Sequence, residues 1–585
     1  MSQGRRRNDE IATLLEEFAD LLDAKRVEYK PRSYRRAAEN IREYTKPIED
    51  LAAEGQDAVE EIQGVGDAIS GKVVEYFETG EIEELEELRE ELPVDMRELT
   101  SVEGVGPKTV GDLYEALGIT TLDELEAAAE AGEIQEVKGY GAKTEENILE
   151  NIPFARQSQE RELLGDARPL ADSVLDYLRG VDSVERADVA GSIRRWKETI
   201  GDVDVLVASE AGESVVDAFT EWPDADSTIE AGTSKASVRA AGIRIDLRVV
   251  VPEEFGAALQ YFTGSKEHNV HLRNVAIARD LKMNEYGIFD ISDIEDTSDQ
   301  RAGTRVGGQT EEEMYAALDL PSIPPELRED TGEIEAAEAG ELPDLLTVDD
   351  IRGDLHTHTD WSDGDNTIAE MVAGAAERGY DYHVVSDHAT GPGMVGGVGL
   401  DDDELREQMD AVAAVAEDAS IEVLHGVEAN IGSDGAISVD DDLLAELDVV
   451  VASPHSALGQ DRAEATERIV RAIEHPSVDI LGHPTGRLIH TRPGLELDYE
   501  RIAEAAVEHE TALEVNANPH RLDLNDAGVR AAVEAGATIA VDTDAHTPET
   551  LDFVRYGVHT ARRGWAETSD VLNARDVDGL REFLH

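Results

Sequence analysis

The 585-residue chain contains no cysteine, which excludes disulfides, zinc–thiolate centres and a cysteine nucleophile. Basic residues are scarce: 52 Lys and Arg stand against 130 Asp and Glu, a formal charge of -78. That charge is spread along the chain, with no single acidic tail. Aromatics make up 5% and prolines number 19, a profile that would favour disorder if apolar periodicity were also missing. The periodicity is present, so the expectation is a folded protein solvated by carboxylates in concentrated salt, where screening removes most self-repulsion. Such a charge counts only weakly against nucleic-acid binding, because the local sign of a groove matters more than the total and strong salt weakens counterion release. No run of ~18 apolar residues appears, so no membrane span is expected. Met1–Arg7 leads into polar sequence, so no secretion signal is expected and the cytoplasm is the expected address. A chain this long exceeds one compact core, and several domains are expected.

Residues 9–150 read as short helices broken by glycine pairs. Ile11, Leu14, Leu15, Phe18, Leu21 and Leu22 recur at helical spacing. One theme then appears three times, with helix on both sides: Ile62-Gln-Gly-Val-Gly66, Val102-Glu-Gly-Val-Gly106 and Val137-Lys-Gly-Tyr-Gly141. Glycines before a helix allow positive φ and close backbone approach, so several N–H groups can face one phosphate. A lone pair would be a tight turn; three with the same flanks resemble the helix-hairpin-helix of DNA-repair proteins. That resemblance implies sequence-independent grip on the DNA backbone through Gly64, Gly66, Gly104 and Gly106.

From about 170 the texture changes to strands. In Asp202-Val-Asp-Val-Leu-Val207, period-two geometry puts Asp202 and Asp204 on one face and Val203, Val205 and Val207 on the other. Asp246 sits likewise within Ile243–Val250. Three such carboxylates would form an oxygen cage for two Mg²⁺ (or Mn²⁺) ions, one activating a primer 3′-hydroxyl and one holding a triphosphate. Upstream lies Gly191-Ser-Ile-Arg-Arg-Trp-Lys-Glu-Thr-Ile-Gly201, a cationic loop suited to a triphosphate.

The string from Gly191 to Asp204 resembles the nucleotidyltransferase signature of family X DNA polymerases, and the likeness spans about residues 9–320. The resemblance implies that Gly191, Ser192, Arg195 and Gly201 serve the triphosphate, with Ser192 and Arg195 on its β- and γ-phosphates. It implies that Asp202, Asp204 and Asp246 carry the metals, with Arg244 near the primer end. Tyr261-Phe-Thr-Gly-Ser-Lys-Glu-His-Asn269 is similar to the family's nucleotide-binding segment. By that likeness Tyr261 and Phe262 pack on the sugar, Gly264 belongs to the same segment, Asn269 reaches the base edge and Arg273 lies near the template. Asn284-Glu-Tyr-Gly-Ile-Phe289 fits the thumb hairpin. Trp196 departs from the small residue common there, and Ala68 stands where members often carry a lysine. Lys72 matches the lysine that forms a Schiff base with abasic deoxyribose in some members, chemistry that needs a lowered pKa; the other reading is a phosphate-binding lysine. Lys30 and Tyr34 are the remaining candidates for a 5′-phosphate.

Histidine usage marks a boundary: of 16 in the chain, only His268 and His271 precede residue 356. Beyond 350, strand-like runs alternate with amphipathic helices such as Ile368–Arg378 and Asp402–Glu417, a pattern that points to a parallel barrel. Candidate ligands recur at strand ends, where such a barrel assembles its active site. The set resembles the PHP (polymerase and histidinol phosphatase) domain, which implies a distorted (β/α)7 barrel and nine ligand positions. They are His356, His358, Asp363, His388, Glu428, His455, His483, Asp544 and His546. The resemblance implies about three divalent ions, and ligation by histidine and carboxylate suits Mn²⁺, Zn²⁺ or Fe²⁺. Arg487 is a candidate for a phosphate oxygen, while His383, His425, His475, His490, His509, His520 and His559 read as ordinary surface or core residues.

The resulting expectation is a multidomain α+β and α/β protein. Its parts are a helix-hairpin-helix lyase-like domain (1–95), fingers (96–155), palm (156–252), thumb (253–322), linker (323–349) and PHP domain (350–585). Gapped or primer–template DNA and dNTPs are the expected partners, with no membrane, a monomeric chain and a halophilic source. The function expected from both resemblances is gap filling by a DNA-directed DNA polymerase, with 3′-5′ exonuclease or 3′-end processing by the PHP domain. The alternatives left open are a DNA-end-binding scaffold with vestigial sites and a small-molecule phosphatase fused to a DNA module.

Overall fold

Helical periodicity with glycine punctuation builds the first 161 residues, and strand periodicity governs the remainder of the chain. The computed structural model describes every residue except 1–2, 28–29, 45–47, 61, 63, 103, 160, 295, 394–397 and 585. It divides into two units, Met1–Arg161 and Glu162–His585.

In the first unit the described residues are helical or in turns. Helix Gln3–Ala24 buries Ile11, Leu15, Phe18, Leu21 and Leu22 as its spacing requires, and Leu14 is half-buried beside them. Phe18 stacks on Tyr34 at 4.5 Å between centroids. Gly66 caps helix Asp67–Thr79 and Gly106 caps helix Pro107–Leu117.

Among the described residues, every strand lies in the second unit. A two-residue strand β1 (Glu162–Leu163) pairs with β3 (Thr199–Ile200). A five-stranded sheet has the order β2 (Arg186–Val189), β4 (Val203–Ala208), β7 (Ile243–Val250), β6 (Lys235–Ala240), β5 (Ser227–Ala231). Val203, Val205 and Val207 turn inward from β4 onto Leu164, Val174 and Phe219 of the flanking helices. Next come β8 (Leu281–Asn284), β9 (Gly287–Asp290) and β10 (Thr304–Gly307) in one antiparallel sheet.

The last seven strands are all parallel and pair in chain order. They are β11 (Gly353–Asp354), β12 (Tyr382–Val385), β13 (Glu422–Asn430), β14 (Val449–Ser453), β15 (Ile480–Leu481), β16 (Ala512–Asn516) and β17 (Ile539–Asp542). β14 and β17 are buried at every residue, the mark of a parallel sheet covered on both faces. A parallel bridge between Thr357 and Ala545 nearly closes the ring. Helices Ile368–Glu377 and Asp402–Ala416 lie within a residue of the sequence-based bounds.

Two features differ from expectation. Residues 323–349, read as a linker, are folded. Helix Glu333–Ala339 forms, and Ile323, Leu327, Ile334 and Leu345 join the thumb's apolar cluster with Met314 and Tyr315. In addition, the apolar cluster under the five-stranded sheet continues into the barrel, where Leu522 and Tyr556 are buried against it.

Candidate active sites

Parallel pairing of β4 with β7 sets Asp204 directly beside Asp246, and Asp202 stands just before β4. One carboxylate oxygen from each falls within 4.8 Å of the others. Burial pushes the Asp204 carboxyl up, and the charges of Asp202 and Asp246 push it further, to about 7. Three crowded carboxylates of this kind are a site that a cation stabilises. Ser237, opposite Asp246 on β6, donates its hydroxyl to that carboxylate, and Arg244 Nε donates to it at 2.9 Å. Gly191 opens the adjacent loop at φ 63, and a Cβ there would sit 2.3 Å from Asp204 Oδ2. A side chain there would displace the Asp204 carboxylate and strain the backbone.

The other residues expected to serve the nucleotide fall on the adjacent loop and on the segment from Tyr261 to Arg273. Ser192 is half-buried in the short helix Gly191–Arg194. Arg195 donates to the carbonyl of Thr263 and to Glu329, and Gly264 leaves room for its guanidinium. Tyr261 and Phe262 meet edge to face at 5.1 Å. Asn269 donates to the Tyr261 carbonyl and accepts from Gln260, so here it braces that segment. Gly201 and Arg273 are exposed.

All nine histidine-rich positions converge at the C-terminal rim of the barrel. Three donor groups overlap by shared residues: His358, Asp363, His388 and His546; His356, His358 and Glu428; His388, Glu428 and His455. His483 Nε2 lies 3.0 Å from Glu428 Oε1, and Asp544 Oδ1 lies 3.1 Å from His358 Nε2. Burial opposes ionisation of Glu428, yet the imidazoles of His388, His455 and His356 hold it well below the ordinary carboxylate range. The fit to cations is visible in the buried atoms. His356 Nε2, both ring nitrogens of His358 and Glu428 Oε2 are buried without a hydrogen bond, though each faces other ligands. Such lone pairs are what bound metals would satisfy. Asp544 (φ 54) and His483 (φ 22) also hold left-handed backbone, conformations that persist only where surroundings fix them.

In the first unit the glycine loops share one geometry. Gly64, Gly104 and Gly139 have positive φ, whereas Gly66 and Gly106 are extended N-caps. A Cβ added at Gly66 or Gly106 would meet nothing within 4 Å. Neither strain nor internal packing therefore calls for glycine there, and the bare backbone leaves room for close approach of a ligand. Lys72 is paired with Glu84 at 2.6 Å. Burial works to lower its pKa, but Glu84 and Tyr34 outweigh that and raise it, opposite to what a Schiff-base lysine needs. Lys30 is exposed and Tyr34 buried.

Family models match four segments: a helix-hairpin-helix domain over 6–82, a SAM-like helix-hairpin-helix tandem over 96–152, a DNA polymerase beta thumb over 258–329 and a PHP domain over 354–518. The DNA polymerase/3′-5′ exonuclease PolX of Bacillus subtilis (strain 168) is 35% identical over 580 residues, covering 98% of this chain and 99% of that protein. The chain belongs to the family X DNA polymerases that carry a PHP domain. A probable phosphatase of Thermoanaerobacter sp. (strain X514) is 30% identical over 247 residues, covering 40% of this chain and 93% of that protein. A probable phosphatase of Caldanaerobacter subterraneus subsp. tengcongensis is 32% identical over 204 residues, covering 33% of this chain and 75% of that protein.

Several residues of this family X chain that serve the sites carry no motif in the sequence. Glu514 on β16 accepts from His356 Nδ1 at 2.6 Å and from the backbone of His483, orienting two ligands at once. Asn430 does the same for His455 at 2.7 Å. Arg487, expected to meet a phosphate, instead donates to the carbonyls of Arg521 and Leu522 and pairs with Glu198. Arg521 is the cation beside the ligands, 3.5 Å from Asp544 Oδ2. Asn430 closes β13 and Arg521 lies in the loop after β16, so position near a strand end was the one available signal for each; Glu514 lies mid-strand and had none. His383 and His425 are core residues as expected, bonded to Thr357 and Gln408 and lowered to about 4 by burial.

Proposed function

We propose that this chain fills gaps in DNA with the palm and processes DNA 3′ ends with the PHP barrel. The observation that carries the first half is the cluster Asp202, Asp204 and Asp246 with Gly191 packed against it. Together they leave a carboxylate cage open beside a cationic loop. The matching relative's name supplies both activities, polymerase and 3′-5′ exonuclease. Divalent ions, Mg²⁺ or Mn²⁺ in the palm and about three Mn²⁺, Zn²⁺ or Fe²⁺ in the barrel, supply Lewis-acid activation and charge neutralisation when bound.

The chain's own residues do the rest. Asp202, Asp204 and Asp246 hold ions in the palm, Ser192 and Arg195 bind the triphosphate, and Tyr261 and Phe262 wall the sugar. Ser237 and Arg244 fix the orientation of Asp246. In the barrel the nine ligands hold the metals, Glu514 and Asn430 orient them, and Arg521 neutralises a scissile phosphate oxygen. The glycine loops of 1–95 and 96–155 grip the duplex backbone, the palm spans 156–252, and the thumb 253–322 keeps residues 323–349 as a folded extension. The barrel takes 350–585. Lys72, ion-paired and protonated, serves phosphate rather than Schiff-base chemistry. The acidic surface suits a cytoplasm at high salt, with a monomeric chain as the working unit. No described helix is long and apolar enough to cross a membrane.

A second reading, a small-molecule phosphatase in the barrel, is favoured by the probable phosphatases that align there. One experiment separates the readings. The full chain in high KCl with Mg²⁺ and Mn²⁺ is given a gapped duplex with dNTPs, a 3′-recessed primer, and a sugar-phosphate monoester. Extension of the first and shortening of the second support the proposal. Turnover of the monoester alone supports the phosphatase, and no turnover of any substrate supports an end-binding scaffold.

A further inference from the structure

The contact between barrel and palm falls on the phosphate loop. Trp196 takes φ 55, a conformation uncommon for a bulky side chain and retained only where neighbours enforce it. The enforcing neighbours are in the barrel. The indole stacks on His559 with centroids 3.6 Å apart and planes 6° from parallel, and it meets Tyr556 edge to face at 6.0 Å. Arg168 of the palm covers its ring at 4.6 Å. His559 is itself held by Glu326 at 2.7 Å, and Glu326 also accepts from Arg562. One residue earlier the barrel grips the backbone: Arg563 donates to the Arg195 carbonyl at 2.8 Å. Arg563 is 5% exposed and also pairs with Asp526.

We infer that helix Val554–Arg563 of the barrel holds the palm's phosphate loop in its nucleotide-binding shape, making Trp196, His559 and Arg563 positioning residues for the incoming triphosphate. The inference rests on the polymerase reading of the palm. Glu329 shows how the hold permits binding. Its carboxylate accepts from Arg195 Nε and from Arg563, each at 3.1 Å, with Lys197 3.8 Å away. When Arg195 turns to a phosphate, Arg563 and Lys197 remain to neutralise Glu329, so no buried charge is left alone. The barrel thus fixes the loop's backbone and frees its arginine.

The test uses the full-length chain on a gapped duplex. Single-nucleotide incorporation gives kcat and KM for dNTP, and a dideoxy-terminated primer gives the dNTP Kd without chemistry. Trp196→Ala, His559→Ala and Arg563→Met are expected to raise KM and Kd about tenfold with kcat within about twofold, the signature of lost binding rather than lost chemistry. Shortening of a 3′-recessed primer by the barrel stays unchanged. His559→Phe, which keeps a ring for the stack, and Arg563→Lys restore most of the affinity. Unchanged KM and Kd in the alanine and methionine variants would overturn the inference. So would parallel loss of incorporation and hydrolysis with no rescue by Phe or Lys, because that pattern marks general destabilisation. Absence of incorporation by the unaltered chain would instead sink the polymerase reading itself.

Discussion

The palm and the barrel each gather candidate metal ligands on or beside parallel strands, yet they build opposite kinds of site. The palm offers three carboxylates, with Asp202 exposed and Asp204 and Asp246 half-buried. Its outer support includes Ser237 and Arg244 at Asp246 and a glycine that leaves space beside Asp204. The barrel offers imidazoles as well as carboxylates, with His356, His358 and Glu428 fully buried and a further ring of Glu514 and Asn430 behind them. An open, oxygen-only cage suits ions that arrive with a triphosphate and leave with pyrophosphate. A buried cage whose ligands are themselves held by hydrogen bonds suits ions that stay. The two cages therefore differ less in their fitness for metal than in how far each encloses it.

The sharpest way to break this comparison is to remove one ligand from each. Asp204→Ala is expected to lower incorporation by on the order of 10³-fold or more, since it removes several kcal/mol of charge stabilisation, while leaving primer shortening intact. His356→Ala should do the reverse and also deplete bound metal. Gel assays of both activities on both variants, with elemental analysis of the purified proteins, check it. Loss of both activities in either variant would mean that the sites are not independent.

Acid should separate the halves next. Glu311 accepts from Arg194 in the phosphate loop and from Arg328, tying palm to thumb. Burial pushes its carboxyl up, but the guanidiniums of Arg328 and Arg194 prevail and hold it at about 2 against an ordinary 4.5. A depressed carboxyl stabilises the fold fully above its ordinary value and loses that contribution as pH falls through 4.5 toward 2. The contribution is about 3 kcal/mol at neutral pH. Barrel imidazoles must be neutral to bind metal, so protons compete with the metal and its affinity drops as pH falls. Calorimetry from about pH 7 to about pH 3, a span that crosses the ordinary carboxyl value, should show the acidic limb of the palm–thumb tie in metal-loaded and metal-stripped protein alike, with the metal-dependent stabilisation present only in the first. Glu311→Gln should lower stability at neutral pH and flatten the acidic limb; an unchanged limb would assign that slope elsewhere.

A finer probe of the barrel's support is Glu514→Gln. It keeps the shape but weakens the orientation of His356, and a loss of roughly 10–100-fold in metal affinity or hydrolysis is expected. Titration of metal-stripped protein measures it, with incorporation as the unaffected control. An equal effect on incorporation would show that the two cages share support.

Legibility from sequence splits along the same divide. The clustering carboxylates and imidazoles were legible because their chemistry is concentrated in short strings: Asp202 and Asp204 two apart, His356 and His358 likewise, and Asp544 with His546. The supporting residues were not, because they act across distance in the chain. Glu514 meets His356 from 158 residues away, and Arg563 reaches Arg195 across 368. His559 carries no local sign of the stack it makes with Trp196. Residues 323–349 misled for a related reason. Their few apolar side chains are widely spaced, yet Ile323, Leu327, Ile334 and Leu345 are all buried on the thumb. Arg487 shows the limit of motif reading: the right residue type near a site, turned to backbone carbonyls.

The smallest expected effect concerns a third region, where the working group is backbone instead of side chain. Gly104 and Gly106 are two residues apart and face different constraints. Gly104 sits at φ 84, so alanine there should destabilise the loop by roughly 1–2 kcal/mol whatever it binds. Gly106 has φ -82 with open space around it, so alanine should leave melting almost unchanged. If its bareness serves a phosphate oxygen, the methyl group instead weakens binding to gapped duplex by a few-fold (about 1 kcal/mol, one hydrogen bond). Fluorescence anisotropy at fixed salt, paired with melting curves, distinguishes the two variants. Gly104→Ala that melts early while Gly106→Ala binds weakly would place the duplex against the N-terminus of helix Pro107–Leu117. Normal affinity in Gly106→Ala would reduce that loop to a turn, and the grip on DNA would then have to come from side-chain cations, of which this acidic chain has few.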